Sequence, residues 1–159
     1  MSTIRVVWGA GRGPTETAAY DAALADANVH DYNLITVSSV IPDDAVVEAV
    51  GTAPDLGPVG DRLTVVQAHA SAAGPQTVSA ALGWATGPGP GLFYEAAGET
   101  ETSDVETRVR EGLAAGADLR QWTLTDRQVR SESVTADTGE YAAAAVLGVY
   151  GESESIFHD

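Results

Sequence analysis

Ser38 and Ser39 stand side by side where an apolar, strand-like run from Leu34 to Val37 ends, just before a second apolar step, Val40-Ile41, that meets Pro42. If the backbone is held in a strained turn, the Ser39 hydroxyl can attack the Ser38 carbonyl carbon and move the acyl group from nitrogen to oxygen. β-Elimination from that ester parts the chain and leaves dehydroalanine at position 39, which tautomerises and hydrolyses to a pyruvoyl group, a ketone conjugated to an amide. Serine pairs are also common, and most end strands or hydrogen-bond locally in turns. A second group with possible chemistry is Glu95, set inside the apolar run Gly91-Leu92-Phe93-Tyr94-Glu95-Ala96-Ala97-Gly98 with no arginine close by in sequence. Buried there, its carboxyl would stay protonated and serve as a general acid; facing an edge or a partner, it would be an ordinary glutamate.

Two absences bear on these readings. Decarboxylating or transaminating an amino acid needs an electron sink, ordinarily pyridoxal phosphate held on a lysine. All eight Lys+Arg residues of this chain are arginines, so that anchor is missing. There is no cysteine either, which removes thiol nucleophiles, thiolate metal sites and disulfides together. An electrophile made from serine needs neither residue. His30, His69 and His158 have no ligand spacing among them, and no metal is expected.

The 159 residues fit one domain, with 44% hydrophobic residues for a core and no apolar run long enough to span a bilayer. The start, Met1 to Arg5, lacks the basic and apolar regions of a signal peptide, which sets a cytoplasmic expectation. The net charge of −15 repels a phosphate backbone, so nucleic acid is not an expected partner. Acidic excess without lysine is the composition of a protein kept soluble in concentrated salt, where the Debye length shrinks to about 3 Å at 1 M. A halophile's cytosol is the expected setting.

The elements that must position Ser39 and Glu95 follow from periodicity. Thr3 to Trp8 reads as a strand, Gly9 to Pro14 as a loop, and Thr15 to Asn28 as a helix with Asp21 on its solvated face. Asp43, Asp44 and Glu48 read as surface acids, and residues 51–60 as a loop. Strands are expected over Arg62 to Ala72, over Gln76 to Ala85 from the alternation of Val78, Ala80, Leu82 and Trp84, and over Gly91 to Gly98. Thr102 to Leu119 is the clearest helix, with a capping box from Ser103 and Glu106 and an inward stripe of Val105, Val109 and Leu113. Gln121 to Thr125, Arg127 to Thr135 and Tyr141 to Tyr150 read as strands, and the tail from Gly151 to Ser155 as a frayed end. The sum is an α+β fold, a layered αββα sandwich of mainly antiparallel strands with its helices outside.

In Tyr20-Asp21-Ala22-Ala23-Leu24, in the block Asn33 to Pro42, and in Gly91 to Glu95, the chain resembles the archaeal pyruvoyl-dependent arginine decarboxylases, as a haloarchaeal member would. The resemblance extends from the first strand to Tyr150. It implies a single domain over residues 1–159, self-cleaved between Ser38 and Ser39 into 1–38 and 39–159, with a covalent pyruvoyl cofactor derived from Ser39. It further implies that Asn33 donates to the oxyanion of the acyl shift or to substrate, that Glu95 protonates the substrate Cα, and that Asp21 and the new Ser38 carboxylate meet the arginine guanidinium. The implied assembly is a homotrimer with sites at subunit interfaces, and the implied reaction converts L-arginine to agmatine and carbon dioxide, for polyamine supply. Ala96 and Ala97 depart from the family, which often has an aromatic residue after the glutamate and a second acid soon after it. Two other readings stand beside this one. The same cofactor could act on S-adenosylmethionine or another amino acid, or the chain could be an unprocessed, non-catalytic homotrimer.

Overall fold

Residues of alternating direction along long apolar strands give this chain two sheets with a shared interior and a helix on each outer face. The computed structural model describes residues 2–157. In chain order the elements are β1 (Ser2–Gly13), α1 (Glu16–Asp26), β2 (Asn33–Thr36), β3 (Val40–Ile41), β4 (Ala45–Gly51), β5 (Arg62–Ala73), β6 (Gln76–Thr86), β7 (Gly91–Gly98), α2 (Thr102–Asp118), β8 (Asp126–Ala136) and β9 (Tyr141–Tyr150). One sheet has the order β2-β5-β9-β1-β4 and the other β3-β7-β6-β8. The long pairings are antiparallel; β1 with β4 and β2 with β5 are parallel.

Side-chain alternation assigns the layers. Val7, Val65 and Leu147 face Ala19, Ala23 and Leu24 of α1, whereas their neighbours Val6, Val66 and Val146 face Val78, Leu82 and Trp84 of β6. The opposite face of β6, through Ala81 and Ala85, meets Val105, Val109 and Leu113 of α2. The result is the expected αββα sandwich. Residues 142–149 of β9 are buried on both faces, which is why this strand reads as an unbroken apolar run.

Several boundaries differ from the sequence expectation. Gly9 to Gly13 is not a loop but the second half of β1, paired with β9 as far as Gly13↔Tyr141. Its glycines lie under α1: a Cβ on Gly9 would meet the Ala23 carbonyl, and one on Gly11 or Gly13 would meet the Cβ of Ala22 or Ala18. Absent side chains let the helix lie directly on the strand. The helix begins where Thr15 accepts a hydrogen bond from the Ala18 amide at 3.0 Å. The acid-punctuated stretch after Pro42 contains β4, an edge strand parallel to β1. Helix α2 has Glu101 as its N-cap residue, with no side-chain cap bond, so the Ser103 and Glu106 box does not form; Glu106 instead accepts from Ser131 at 2.7 Å.

Gln121 to Thr125 is irregular rather than a strand. Trp122 packs beside the α2 cluster, with the Arg120 guanidinium 5.2 Å from its ring centroid. The tail is tied down as far as Glu154, whose backbone pairs with Arg62 and whose carboxylate pairs with its guanidinium, while Ser153 donates to Asp61 at 2.8 Å. His158 lies outside the described residues.

Candidate active site

The peptide between Ser38 and Ser39 lies where the chain crosses from one sheet to the other. Strand β2 ends at Thr36, and the Val37 amide continues its pairing by donating to the Val65 carbonyl at 2.9 Å. On the far side, β3 pairs with β7 as Val40↔Leu92 and Ile41↔Gly91, and the Phe93 amide extends that pairing by donating to the Ser39 carbonyl at 2.8 Å. Ser38 itself enters neither ladder. A break between residues 38 and 39 therefore costs no sheet hydrogen bond, which fits a pyruvoyl group at position 39.

Beyond Phe93 the edge of β7 has no neighbouring strand, because β3 is only two residues long. Glu95 sits on this open edge, two positions past the residue that holds the Ser39 carbonyl. The Ser39 hydroxyl donates to Glu95 Oε2 at 3.1 Å. Glu95 is exposed, so of the two sequence readings the single chain shows the edge-facing one. Its alternation with Phe93 and Leu82↔Glu95 pairing put it on the inter-sheet side, where the edge opens to solvent.

A cavity of about 410 Å³ opens beside the serines, floored by Leu92, Tyr94, Leu113 and Leu119. A second, of about 360 Å³, lies on the Glu95 side with Arg108 and Glu111 at its rim. Tyr94 lines both, and its ring lies so close to α2 that a Cβ on Gly112 would strike it. Either volume falls within the range of about 300–1,000 Å³ usual for small-molecule sites.

Asn33 and Asp21 line neither cavity and bond to neither Ser39 nor Glu95. Asn33 opens β2, and its side-chain amide donates to the Gly60 carbonyl at 2.8 Å. At about 3.3 Å of rise per residue it lies on the order of 15 Å before Ser38. Asp21 is an exposed residue of α1 and enters no hydrogen bond or ion pair among the described residues. Among the described residues no group of three or more His, Asp or Glu could hold a metal ion, and no helix is long and apolar enough to cross a membrane.

Three features of the site escape a reading by residue type. The Tyr150 hydroxyl donates to the Val40 carbonyl at 3.0 Å; a lone tyrosine at a strand end carries no signal for that. The Phe93 amide is a backbone group and leaves no trace in the sequence. The third is a polar chain behind β2, in which Tyr20 donates to Gln67 at 2.6 Å and Gln67 donates to Thr36 at 3.2 Å. The Tyr20 ring also covers His69, with centroids 4.7 Å apart. Burial raises the Tyr20 pKa, against a smaller lowering by Gln67. It lowers that of His69, against a smaller opposite push from Glu16. The polar alternation of Gln67, His69 and Ser71 along β5 was the available signal for this wet strip.

A family model described as pyruvoyl-dependent arginine decarboxylase matches residues 3–155. The chain is 60% identical over 158 residues to a Halobacterium salinarum protein named pyruvoyl-dependent arginine decarboxylase, covering 99% of each. It is 37% identical over 143 residues to a protein of that name from Pyrococcus horikoshii, with 88% of each covered. With one from Methanocaldococcus jannaschii it shares 31% over 152 residues, 92% of this chain and 89% of the relative.

Proposed function

The chain belongs to the pyruvoyl-dependent arginine decarboxylase family, and from that membership we propose that it converts L-arginine to agmatine and carbon dioxide with a pyruvoyl group at position 39. The observation that carries this reading is the contact of the Ser39 hydroxyl with Glu95 at 3.1 Å, beside a cavity and at a peptide that belongs to neither sheet.

The group would be made from the chain itself. Attack of Ser39 Oγ on the Ser38 carbonyl carbon forms an ester as the amide C–N bond opens and the hydroxyl proton passes to the Ser39 nitrogen. Glu95, which accepts a hydrogen bond from that hydroxyl, orients Oγ for the attack. Elimination then takes the Ser39 Hα and releases the Ser38 carboxylate, and hydrolysis liberates ammonia. The products are 1–38 and 39–159.

A pyruvoyl group at position 39 supplies a carbonyl that condenses with the amine of an amino acid and takes up the electron pair left as carbon dioxide departs. Glu95 holds the proton delivered to Cα. The new carboxylate of Ser38 and the exposed carboxylate of Asp21 offer the planar, bidentate partners a guanidinium prefers. Asp21 lines neither cavity beside Ser39, and in this reading it acts across a subunit boundary in a homotrimer. The exposed apolar residues around Ser39, Ile35 at 41%, Val40 at 44%, Tyr94 at 43% and Leu119 at 83%, support such a covered surface. The cytoplasm of a salt-adapted cell is the working compartment, which the net charge of −15 supports.

An intact-mass spectrum before and after borohydride treatment tests the cofactor, and agmatine release tests the substrate. Expected are two fragments meeting at Ser38-Ser39, the larger gaining hydrogen on reduction, and agmatine from arginine. A single unreactive chain in molar salt overturns the enzymatic reading, and turnover of S-adenosylmethionine in place of arginine overturns the substrate.

A further inference from the structure

Tyr150, the last residue of β9, belongs to one sheet yet holds the backbone of the other at the point next to Ser39. Its backbone pairs with Ile4 of β1, while its hydroxyl reaches the Val40 carbonyl of β3 at 3.0 Å. Its ring meets Phe93 edge-on, with centroids 6.2 Å apart, and Phe93 is the residue whose amide holds the Ser39 carbonyl. Two successive carbonyls, those of residues 39 and 40, are thus each held by one donor, and the two donors come from different sheets. Since β3 contributes only two paired residues, these two bonds make up much of what holds the segment.

We propose that Tyr150 is a positioning residue for both the self-cleavage and the decarboxylation, acting through the Val40 carbonyl to fix the orientation of residue 39. This rests on the reading of Ser39 given above. Holding the carbonyls of residues 39 and 40 fixes the two peptide planes that follow Ser39, and with them the direction in which Ser39 Oγ leaves its Cα. The Val37 amide holds the upstream side. The 38–39 peptide is the free span between those anchors, and the angle at which Oγ approaches the Ser38 carbonyl depends on both. Once the chain is cut, the upstream anchor no longer reaches residue 39. Its position against Glu95 then depends on Phe93 N–H, on Tyr150 and on the two-residue pairing of β3 with β7. Burial supports the donor role, since it pushes the Tyr150 phenol up to about 12 and keeps the hydroxyl protonated at any working pH.

The test is Tyr150→Phe, which keeps the ring and removes the hydroxyl, with Val146→Ala as a control that loosens the same interior without touching Val40. Cleavage is followed by mass, and kcat and KM for arginine are measured on the processed fraction, each protein well below its own Tm. The loss of one hydrogen bond predicts cleavage and kcat each slowed about 3- to 10-fold in Tyr150→Phe, with KM within about twofold of the parent. Val146→Ala is expected to lower Tm and leave both rates unchanged. Parent-like rates in Tyr150→Phe overturn the proposal, as do equal losses in the two variants. If the parent protein neither cleaves nor releases agmatine, the reading of Ser39 falls instead, and the two failures are told apart by that parent measurement.

Discussion

Ser39 and Glu95 are 56 positions apart in sequence, yet the serine hydroxyl donates to the glutamate carboxylate at 3.1 Å. The contact exists because Phe93 draws the Ser39 backbone into register with β7 and β3 begins too late in the chain to cover residue 95. One carboxylate thereby touches the atom that would attack in self-cleavage, and the proposed mechanism gives the same carboxylate the proton transfer to the substrate Cα.

Glu95→Gln separates those two duties. The amide oxygen still accepts the Ser39 hydroxyl, so the chain is expected to cleave, whereas proton delivery is lost and turnover falls about 10²- to 10⁴-fold. Mass spectrometry and agmatine release on the same sample read both. Undiminished turnover removes Glu95 from the proton-donor role.

Asp21→Asn keeps the shape of the side chain and removes its charge. Loss of a charge-assisted contact worth about 1.5–3 kcal/mol is expected to raise KM for arginine about 10- to 100-fold with little change in cleavage. Mixing subunits gives a sharper outcome. If Asp21 serves a neighbour's site, assemblies co-expressed from Asp21→Asn and Glu95→Gln chains regain, at arginine well below the raised KM, part of the activity that both parents have lost there; no recovery assigns both residues to one chain.

Gly112→Ala is expected to push the Tyr94 ring away from α2, because the new Cβ would occupy the ring's place. Tyr94 is 43% exposed and free to swing outward into the two cavities it lines. The expected result is a loss of kcat/KM larger than any loss of Tm. A fully active variant would mean that Tyr94 does not shape the bound substrate.

His69 gives the protein an acid-side weakness. Burial under Tyr20 holds its folded pKa below the ordinary 6.5, so the unfolded chain binds the proton more readily. Its contribution is complete above pH 6.5 and is lost as the pH falls through that value towards the folded pKa. Thermal melts of the parent and of His69→Gln across pH 5–8 are expected to converge above that window and to fall more steeply in the parent below it. Parallel curves would show that His69 does not govern the slope.

Much of the sandwich was legible because β5, β6, β7 and β9 carry long alternating or unbroken apolar runs, and because α2 carries a regular stripe. Glycine misled at β1: Gly9, Gly11 and Gly13 look like a turn, and their small size instead admits α1 onto the strand. The edge strand β4 is apolar apart from Glu48, and Asp43 and Asp44 just ahead of it give the stretch the look of a surface loop. In the site, the serine pair stood out by residue type, but its meeting with Glu95 is a long-range pairing that only the family resemblance suggested. Asn33 and Asp21 line neither cavity in the single chain, and nothing in their local sequence tells what they face. Tyr150 acts through a hydroxyl on a backbone carbonyl, and residue type alone does not announce such a bond.

The strand order has a consequence for what a cut after residue 38 would do to the life of the molecule. Residues 1–38 supply β1, α1 and β2, and β1 lies inside its sheet between β9 and β4. The smaller fragment is woven through the larger one rather than laid on its rim. Assembly of the intact chain is a unimolecular event, while reassembly of the severed one would depend on two species meeting, at a rate set by their concentration. The fold would be reached once, before the cut, and thereafter kept by the slowness of its loss. Dilution after denaturation would then discard the enzyme, however well the same sequence folds when it is made whole.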